Sequence, residues 1–313
     1  MQYRTLGRTG IEVSEIGLGC WGIGGASFRG GQPSGWSGAD IMQSLETVRK
    51  AWEVGVTFYD TADVYGRGKS EVLVGLGLLG HKQEAVIATK VGNGMALPGK
   101  DFSAEYIRGA LDASLTRLEV DCIDLYQLHG PSVETMTDEL FGLMGELKAS
   151  GKIRAWGVSI GTIEEGMRAV EGGAETIQLV YNILQQQIGD VIFPVAQEKG
   201  VGIIARVPLA SGWLTGKYTA QTVFPPDDHR SQRYPPDRAA ETAAKVAQLD
   251  FLLEEADSLA EAALRFVLAQ PAVSTVIPGA KSPAQVVENV KASGKPLSEG
   301  ALNRIRALFG KKT

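Results

Sequence analysis

The chain has 313 residues, a formal net charge of −5, and 44% apolar and 21% charged residues, the profile of an ordinary globule long enough to bury a full core. The acidic balance argues against nucleic acid or an anionic membrane as a partner, so any bound anion needs a local basic pocket. No apolar run is long enough for a membrane-spanning helix and the first residues lack an apolar signal core, so a cytoplasmic location is expected.

The two cysteines, Cys20 and Cys122, sit in apolar strand-like runs and read as buried free thiols, and three histidines without a Cys/His cluster suggest no metal site.

Residues 2–15 alternate in character around Gly7-Arg8-Thr9-Gly10, which predicts a β-hairpin able to plug the bottom of a barrel. The next apolar run, 16–22, contains the spacing G-x-G-x-x-G at Gly17, Gly19 and Gly22. A dinucleotide fold needs a helix directly after that motif. Here Gly24-Gly25-Ala26-Ser27 follows, and no apolar stripe begins before Ile41. The second match, at Gly75, Gly77 and Gly80, ends a helix and fails for the same reason.

From there strands and helices alternate. Helices are predicted over 40–52, 70–79, 103–118, 133–149, 162–171 and 188–199. Ser103 is the expected N-cap of the third, and Thr162 with Glu165 forms a capping box on the fifth. Strands are predicted over 56–60, 85–90, 122–128, 153–159, 176–181 and 202–208. A long loop, 209–236, precedes helical patterns over 237–253 and 259–269, a last strand over 273–278, and helices over 283–291 and 298–309. With the run at 16–22 this gives eight strands, each followed by a helix, and predicts one (β/α)8 barrel, a TIM barrel, as a single domain spanning 1–313. A doubly wound open sheet is the other arrangement of such units, and its fingerprint loop is missing.

Barrel active sites lie at the C-terminal ends of the strands. Asp60, Lys90, His129, Ser159 and Asn182 fall there, each closing an apolar run. Tyr65 follows Asp60 on a short polar loop. A phenol has a reference pKa of roughly 10, so a tyrosine that gives up a proton needs a stabilised phenolate. Lys90 supplies the positive charge for that, Asp60 neutralises Lys90, and His129 can hydrogen-bond a substrate oxygen. Each residue also has a plain structural reading: a turn cap for Asp60, loop packing for Tyr65, an ion pair for Lys90, a satisfied core imidazole for His129. Together they describe a site that protonates a carbonyl oxygen and calls for a hydride donor.

The stretches 58–71, Thr89-Lys90, Leu128-His129, Gly157-Val158-Ser159 and Ile277-Pro278-Gly279-Ala280-Lys281 resemble those of the aldo-keto reductases, in order and over nearly the whole chain. Gly212-Trp213-Leu214-Thr215-Gly216-Lys217-Tyr218 is most similar to the bacterial branch related to potassium-channel β subunits. The resemblance implies a nicotinamide-dependent carbonyl reductase with Asp60, Tyr65, Lys90 and His129 as the catalytic set and Tyr65 as general acid. It places Ser159 and Gln178 on the nicotinamide carboxamide and Trp21 beside the cofactor. Ile160 stands where many members have Asn. Arg206 stands where many stack a Tyr on the nicotinamide ring, and its charge would disfavour the oxidised ring. Leu209, Ser211, Gly212 and Lys217 match the pyrophosphate loop. Gly279, Lys281, Gln285, Glu288 and Asn289 match the adenosine end, where Lys281 at a helix start favours NADPH over NADH although Gln285 replaces a common Arg. Residues 224–233, with Asp227, Asp228 and Arg230, are the expected flap.

Trp21, Trp36 and Met95 suit an apolar aldehyde or ketone as the small-molecule substrate. Two other functions compete: a redox-sensing accessory protein that binds NADPH and turns over slowly, and a metal-dependent isomerase or lyase. The first has no need of an acid. The second needs several Asp, Glu or His at strand ends, and only Asp60 and His129 qualify. Oligomeric state is not encoded in any feature of the sequence.

Overall fold

Alternation with period two along short β-branched runs, interrupted by capped helical stretches, produces the architecture seen in the computed structural model, which describes residues 1–94 and 99–310. The strands are β1 (Tyr3–Thr5), β2 (Glu12–Ser14), β3 (Leu18–Gly19), β4 (Phe28–Arg29), β5 (Gln32–Pro33), β6 (Phe58–Asp60), β7 (Val86–Val91), β8 (Ile123–His129), β9 (Ile153–Ser159), β10 (Thr176–Val180), β11 (Gly202–Arg206) and β12 (Val273–Ile277). Among the described residues, eight of them form one parallel sheet in the order β3-β6-β7-β8-β9-β10-β11-β12. Its two ends meet. The Gly17 amide donates to Val276 O at 2.8 Å, Gly19 N to Pro278 O at 3.0 Å and Val276 N to Glu15 O at 2.9 Å, which closes the (β/α)8 barrel.

The pleat sorts side chains into two populations. Phe58, Val86, Ala88, Leu125, Ala155, Ile204 and Ile277 form an inner apolar layer together with Leu6, Ile11 and Val13 of the β1–β2 hairpin. The hairpin therefore plugs the bottom, as its sequence suggests. The alternate residues Tyr59, Ile87, Tyr126, Trp156, Val158, Ile177, Leu179 and Ile203 join the large outer core against the helices. One step further up the same inward face, the apolar layer gives way to Asp60, Lys90, Gln127 and Gln178, all buried. A solvent-free polar layer above a greased floor is what positions the site.

Most helices start where the caps predict. Ser103 Oγ accepts from Tyr106 N at 3.3 Å, and the Thr162/Glu165 capping box is complete. Four differences have local causes. The helix expected from 133 begins at Asp138, because Thr137 caps it and residues 132–136 form turns on the Ser132 and Val133 carbonyls. The first barrel strand is only Leu18–Gly19, since Trp21–Gly24 turns into a short helix. The helical pattern over 237–253 divides into Pro236–Val246 and a 3-10 stretch, Ala247–Glu254. The 209–236 loop holds a 3-10 stretch, Ala210–Thr215, and a helical turn, Arg230–Arg233. Cys20 is buried, but Cys122 is only partly so, lying just before β8. No helix of the described residues is long and apolar enough to cross a membrane.

Candidate active site

Asp60 ends β6 pointing into the barrel, and Lys90, two positions beyond Ala88 on β7, points at it from the neighbouring strand. The Lys90 ammonium lies 2.6 Å from Asp60 Oδ1, 2.8 Å from the Thr61 carbonyl and 3.2 Å from the Tyr65 hydroxyl. Asp60 Oδ2 accepts from Gln127 Nε2 at 3.1 Å and from Gln178 Nε2 at 2.7 Å, and Gln178 also donates to Gln127 Oε1 at 3.2 Å. Every polar atom of the pair is thus satisfied away from water, which is the condition for tolerating a buried charge. Ser159 Oγ is 3.5 Å from Gln178 Oε1 at the upper edge of the layer, a loose contact that leaves the hydroxyl free to turn.

The loop that carries Tyr65 is tied down at both ends. Tyr65 N donates to Ala62 O at 3.1 Å and Ser70 N to Tyr65 O at 3.2 Å, while Thr61 Oγ1 reaches Ser70 Oγ and Ser70 Oγ reaches Cys20 O, both at 2.8 Å. Gly66 has φ +58°, and a Cβ there would overlap the Gly24 carbonyl, so only glycine lets this loop lie flat on the Trp21–Gly24 helix. Tyr65 then sits between His129, whose ring centroid is 5.9 Å away edge-on, and Trp21, stacked at 5.9 Å.

Burial pushes the Tyr65 phenol above its ordinary value, outweighing the downward pull of Lys90. Lys90 pulls in the expected direction, but in the folded chain without a bound ligand the phenol stays protonated, the form that can donate. Burial alone would lower Lys90, but Asp60 and then Tyr65 overcome it and hold the ammonium above its ordinary value. His129 is held well below the usual imidazole range by burial and by Lys90 and Arg206, so it is neutral, and its Nδ1 is buried without a partner among the described residues.

Arg206 ends β11. One of its nitrogens donates to Ile160 O at 2.9 Å, Nε is buried with no partner among the described residues, and burial lowers its pKa. Leu209, Ser211 and Gly212 follow in a strained turn: Val207, Ala210 and Ser211 all have positive φ, at 55°, 47° and 59°. A β-branched residue at such an angle costs of order 1–3 kcal/mol, and such strain tends to mark functional loops. Lys217 is exposed, its ammonium 5.0 Å from the Tyr218 ring centroid.

The 224–233 segment folds over the mouth. Arg230 is buried and chelates Asp228 with two contacts of 2.7 Å, while Asp228 Oδ2 accepts from both Ser37 N and Ser37 Oγ at 3.2 Å. The Arg230 guanidinium also reaches Tyr218 OH at 2.6 Å and lies 4.4 Å from the Trp36 and Phe224 rings. Arg230 thus fastens the flap.

At the far end, Gly279 bridges Gly19, Lys281 Nζ donates to Ser37 O at 2.9 Å, and Gln285 Oε1 accepts from Lys281 N at 2.7 Å. Glu288 accepts from Ser258 Oγ at 3.1 Å and pairs with Lys291 at 2.7 Å, and Asn289 is buried on the same helix. The structure therefore brings Asp60, Tyr65, Lys90, His129, Ser159 and Gln178 into one cluster, sets Arg206 at its edge, and spreads the remaining candidates along a rim running from β11 to the loop after β12. Asn182 instead turns into its own loop, donating to Val207 O at 3.0 Å. Met95 lies outside the described residues. Gln127 was not expected. Its signal is its place two residues before His129 on the same strand, which puts both on the inner face.

A nicotinamide dinucleotide fits these residues. The polar layer ends in an unpartnered His129 Nδ1 and Arg206 Nε, and Lys217, Arg230 and Lys281 lie near enough for the first two to depress the third. Lys217 lies over the Tyr218 ring and Lys281 on the Ser37 carbonyl, neither of them on an acid among the described residues, and crowded cations of that kind suit a polyanion.

The comparisons agree with this geometry. The Aldo/keto reductase family profile matches residues 15–309. The chain is 36% identical to "Aldo-keto reductase YhdN" of Bacillus subtilis over 91% of this chain and 87% of that protein. It is 32% identical to the "NADH-specific methylglyoxal reductase" of Escherichia coli over 97% of each chain. A "Probable voltage-gated potassium channel subunit beta" of Arabidopsis thaliana is 30% identical, over 93% of this chain and 91% of that one. Among solved structures, the glycerol dehydrogenase AKR11B4 from Gluconobacter oxydans superposes with a TM-score of 0.84 at 30% identity, covering 99% and 97% of the two chains. The holo form of aldo-keto reductase AKR11C1 from Bacillus halodurans gives 0.80 at 32%, covering 99% and 96%. This chain belongs to the aldo/keto reductase family and is an NAD(P)H-dependent oxidoreductase of carbonyl and alcohol groups.

Proposed function

We propose that the chain reduces aldehydes or ketones to alcohols, with NADPH as the preferred hydride donor and Tyr65 as the general acid. The observation that carries this is the unbroken contact line from Asp60 through Lys90 to the Tyr65 hydroxyl, at 2.6 and 3.2 Å. A reduced nicotinamide held there would supply hydride to the carbonyl carbon. As charge grows on the carbonyl oxygen, Tyr65 donates its proton and the phenolate left behind faces the Lys90 ammonium. Asp60, steadied by Gln127 and Gln178, keeps that ammonium charged and aimed. His129, neutral, is available to hydrogen-bond the same oxygen and adds no competing cation.

NADPH is favoured because Lys281 stands at the start of the Pro283–Val290 helix, where Ser282 caps and the backbone favours an anion. One relative is named as NADH-specific, so the choice rests on Lys281 and its neighbours. The accessory-protein reading is the second candidate, prompted by the channel-subunit relatives, but a dedicated binding module has no use for a buried acid with its own counter-charge. Tyr65→Phe tests the proposal. It is expected to keep cofactor affinity and to lower aldehyde reduction by a factor on the order of 10² or more. Wild-type turnover in that variant would remove Tyr65 from the role.

A further inference from the structure

We infer that the outer face of the Lys69–Gly77 helix is an interface between two copies of this chain, packed antiparallel about a two-fold axis at Leu76. The face lies on the outside of the barrel, so its role is independent of the carbonyl-reduction reading.

This helix holds the second G-x-G-x-x-G spacing, at Gly75, Gly77 and Gly80, which has no part in a dinucleotide fold. Two of those glycines have a structural reason. A Cβ at Gly75 would stand 2.6 Å from the Leu118 carbonyl oxygen, and one at Gly77 would stand 2.5 Å from Val48 Cγ1. Glycine therefore lets the helix sink between its neighbours, Ile41–Glu53 and Ala104–Leu118. The leucines around them are not all explained in this way. Leu78 is fully buried, but Leu76 is 43% exposed, Leu79 69% and Val72 38%.

From Gly68 to Leu79 these three are the only exposed residues. Spacings of four and three put them in one stripe, so the solvent side of the helix is apolar from end to end. The adjacent Ala104–Leu118 helix is built in the ordinary way and shows Glu105, Arg108, Asp112 and Thr116 to solvent. A helix that is apolar on every side belongs in a buried position, and no described residue of this chain covers the stripe.

The stripe and its ends fit a second copy. Leu76 sits near the middle, with Val72 four positions before it and Leu79 three after. An antiparallel copy sets Leu76 on Leu76 and Val72 on Leu79, so apolar meets apolar along the whole length. Arg67 stands nine positions before Leu76, and Glu84 eight after. Both are exposed, and neither forms an ion pair among the described residues. The same two-fold brings Arg67 of each copy to Glu84 of the other, two complementary pairs at the rim. A parallel arrangement would set Arg67 on Arg67. A lipid surface fits less well, because a net charge of −5 and the exposed Glu84 repel anionic headgroups. Three side chains fall short of the roughly 800 Å² per partner in a standard interface, so the flanking helices close as well and a micromolar dimer is expected.

Sedimentation velocity of the full chain from about 1 to 100 µM reads the association. Wild type is expected to shift from the mass of one chain to twice that mass. Leu76→Glu sets two carboxylates against each other on the axis and should raise the dissociation constant by about a hundredfold or more. The position is already exposed, so that variant should keep its far-UV circular dichroism and a cooperative melt. Arg67→Glu and Glu84→Arg should each weaken the dimer roughly tenfold, and the double exchange should restore it to within about threefold. A wild type that stays monomeric throughout overturns the inference. So does a dimer untouched by Leu76→Glu, or losses in the single variants that the double exchange does not repair. Co-sedimentation of the monomer with vesicles of phosphatidylcholine and phosphatidylglycerol, lost in Leu76→Glu, would assign the stripe to a lipid surface and overturn it as well.

Discussion

Lys90 Nζ and Asp60 Oδ1 meet 2.6 Å apart with 0% and 3% of their side chains exposed, so the ion pair is sealed from solvent while one of its members still touches the Tyr65 hydroxyl. A sealed pair is weak evidence for stability, because desolvation offsets most of the attraction, but removing one partner strands the other. Lys90→Met should therefore cost about 3–5 kcal/mol and abolish turnover. Adding Asp60→Asn to it should recover much of the stability and none of the activity. Denaturant unfolding of both single variants and the double variant gives the coupling. Strictly additive losses would show that the pair acts through something other than direct contact.

The polar layer above the barrel floor was legible because polar side chains break the apolar strand pattern at its ends. Asp60, Lys90 and His129 each close an apolar run, and the β/α alternation says where such ends converge. Gln127 was not legible in that way, since a polar residue inside a buried strand looks like an interruption until the period of two is counted back from His129. The β4–β5 hairpin was missed although Gly30-Gly31, with φ of 56° and 78°, is a hairpin-turn signal. The roof was beyond sequence reasoning. Trp36, His229 and Arg230 meet only because Asp228 reaches across 191 positions to Ser37, and no local pattern encodes that contact.

Asp63 carries a pH dependence of its own. It is 1% exposed, Oδ1 has no partner among the described residues, and Tyr106 OH lies 3.5 Å from Oδ2. Burial, reinforced by Glu71 and opposed by the Val64 amide, Arg117 and Lys90, raises it from 3.8 to about 7. Between those values the folded chain binds more protons than the unfolded one. Stability from this group is thus full below about 4, falls as pH rises, and is gone above about 7. Asp63→Asn should relieve that loss. Its melting temperature relative to wild type should be higher at pH 8 than at pH 5, by an amount corresponding to at most a few kcal/mol. A gap that does not vary with pH would mean that Asp63 is ionised throughout, held by Arg117 and Lys90.

Lys281 is expected to separate the two cofactors. Its ammonium donates to the Ser37 carbonyl, a contact that a phosphate can displace, and burial with Arg230 and Lys217 nearby lowers its pKa. Lys281→Ala should weaken NADPH by roughly tenfold or more, the size of a charge-assisted contact of about 1.5–3 kcal/mol. NADH should weaken far less, through loosening of the Ser37 anchor alone. Fluorescence titration with each cofactor reads the difference, and equal losses would put the 2′-phosphate elsewhere.

Arg206 stands at the end of β11, at the edge of the cluster that holds Tyr65 and His129. The alternative is that it turns away to pair with an acid of the Asp227–Asp228 loop; in the structure Arg230 holds both Asp228 oxygens at 2.7 Å and Arg206 donates to Ile160 O. Its charge is felt by Tyr65 and by His129, so it faces the site. Only the oxidised nicotinamide ring is positive, so a fixed cation beside it disfavours NADP⁺ relative to NADPH. Two unit charges about 4 Å apart at an effective dielectric near 20 repel by roughly 4 kcal/mol, an upper bound before screening by the cofactor's own phosphates. Arg206→Tyr, which removes the charge and supplies a ring to stack, should tighten NADP⁺ relative to NADPH by about tenfold or more and raise alcohol oxidation relative to carbonyl reduction. The same substitution removes one of the cations that depress His129, so the imidazole should titrate at a higher pH than in wild type. The ratio of the two dissociation constants decides the matter: if both cofactor forms weaken alike, Arg206 acts through its bond to Ile160 and not through its charge.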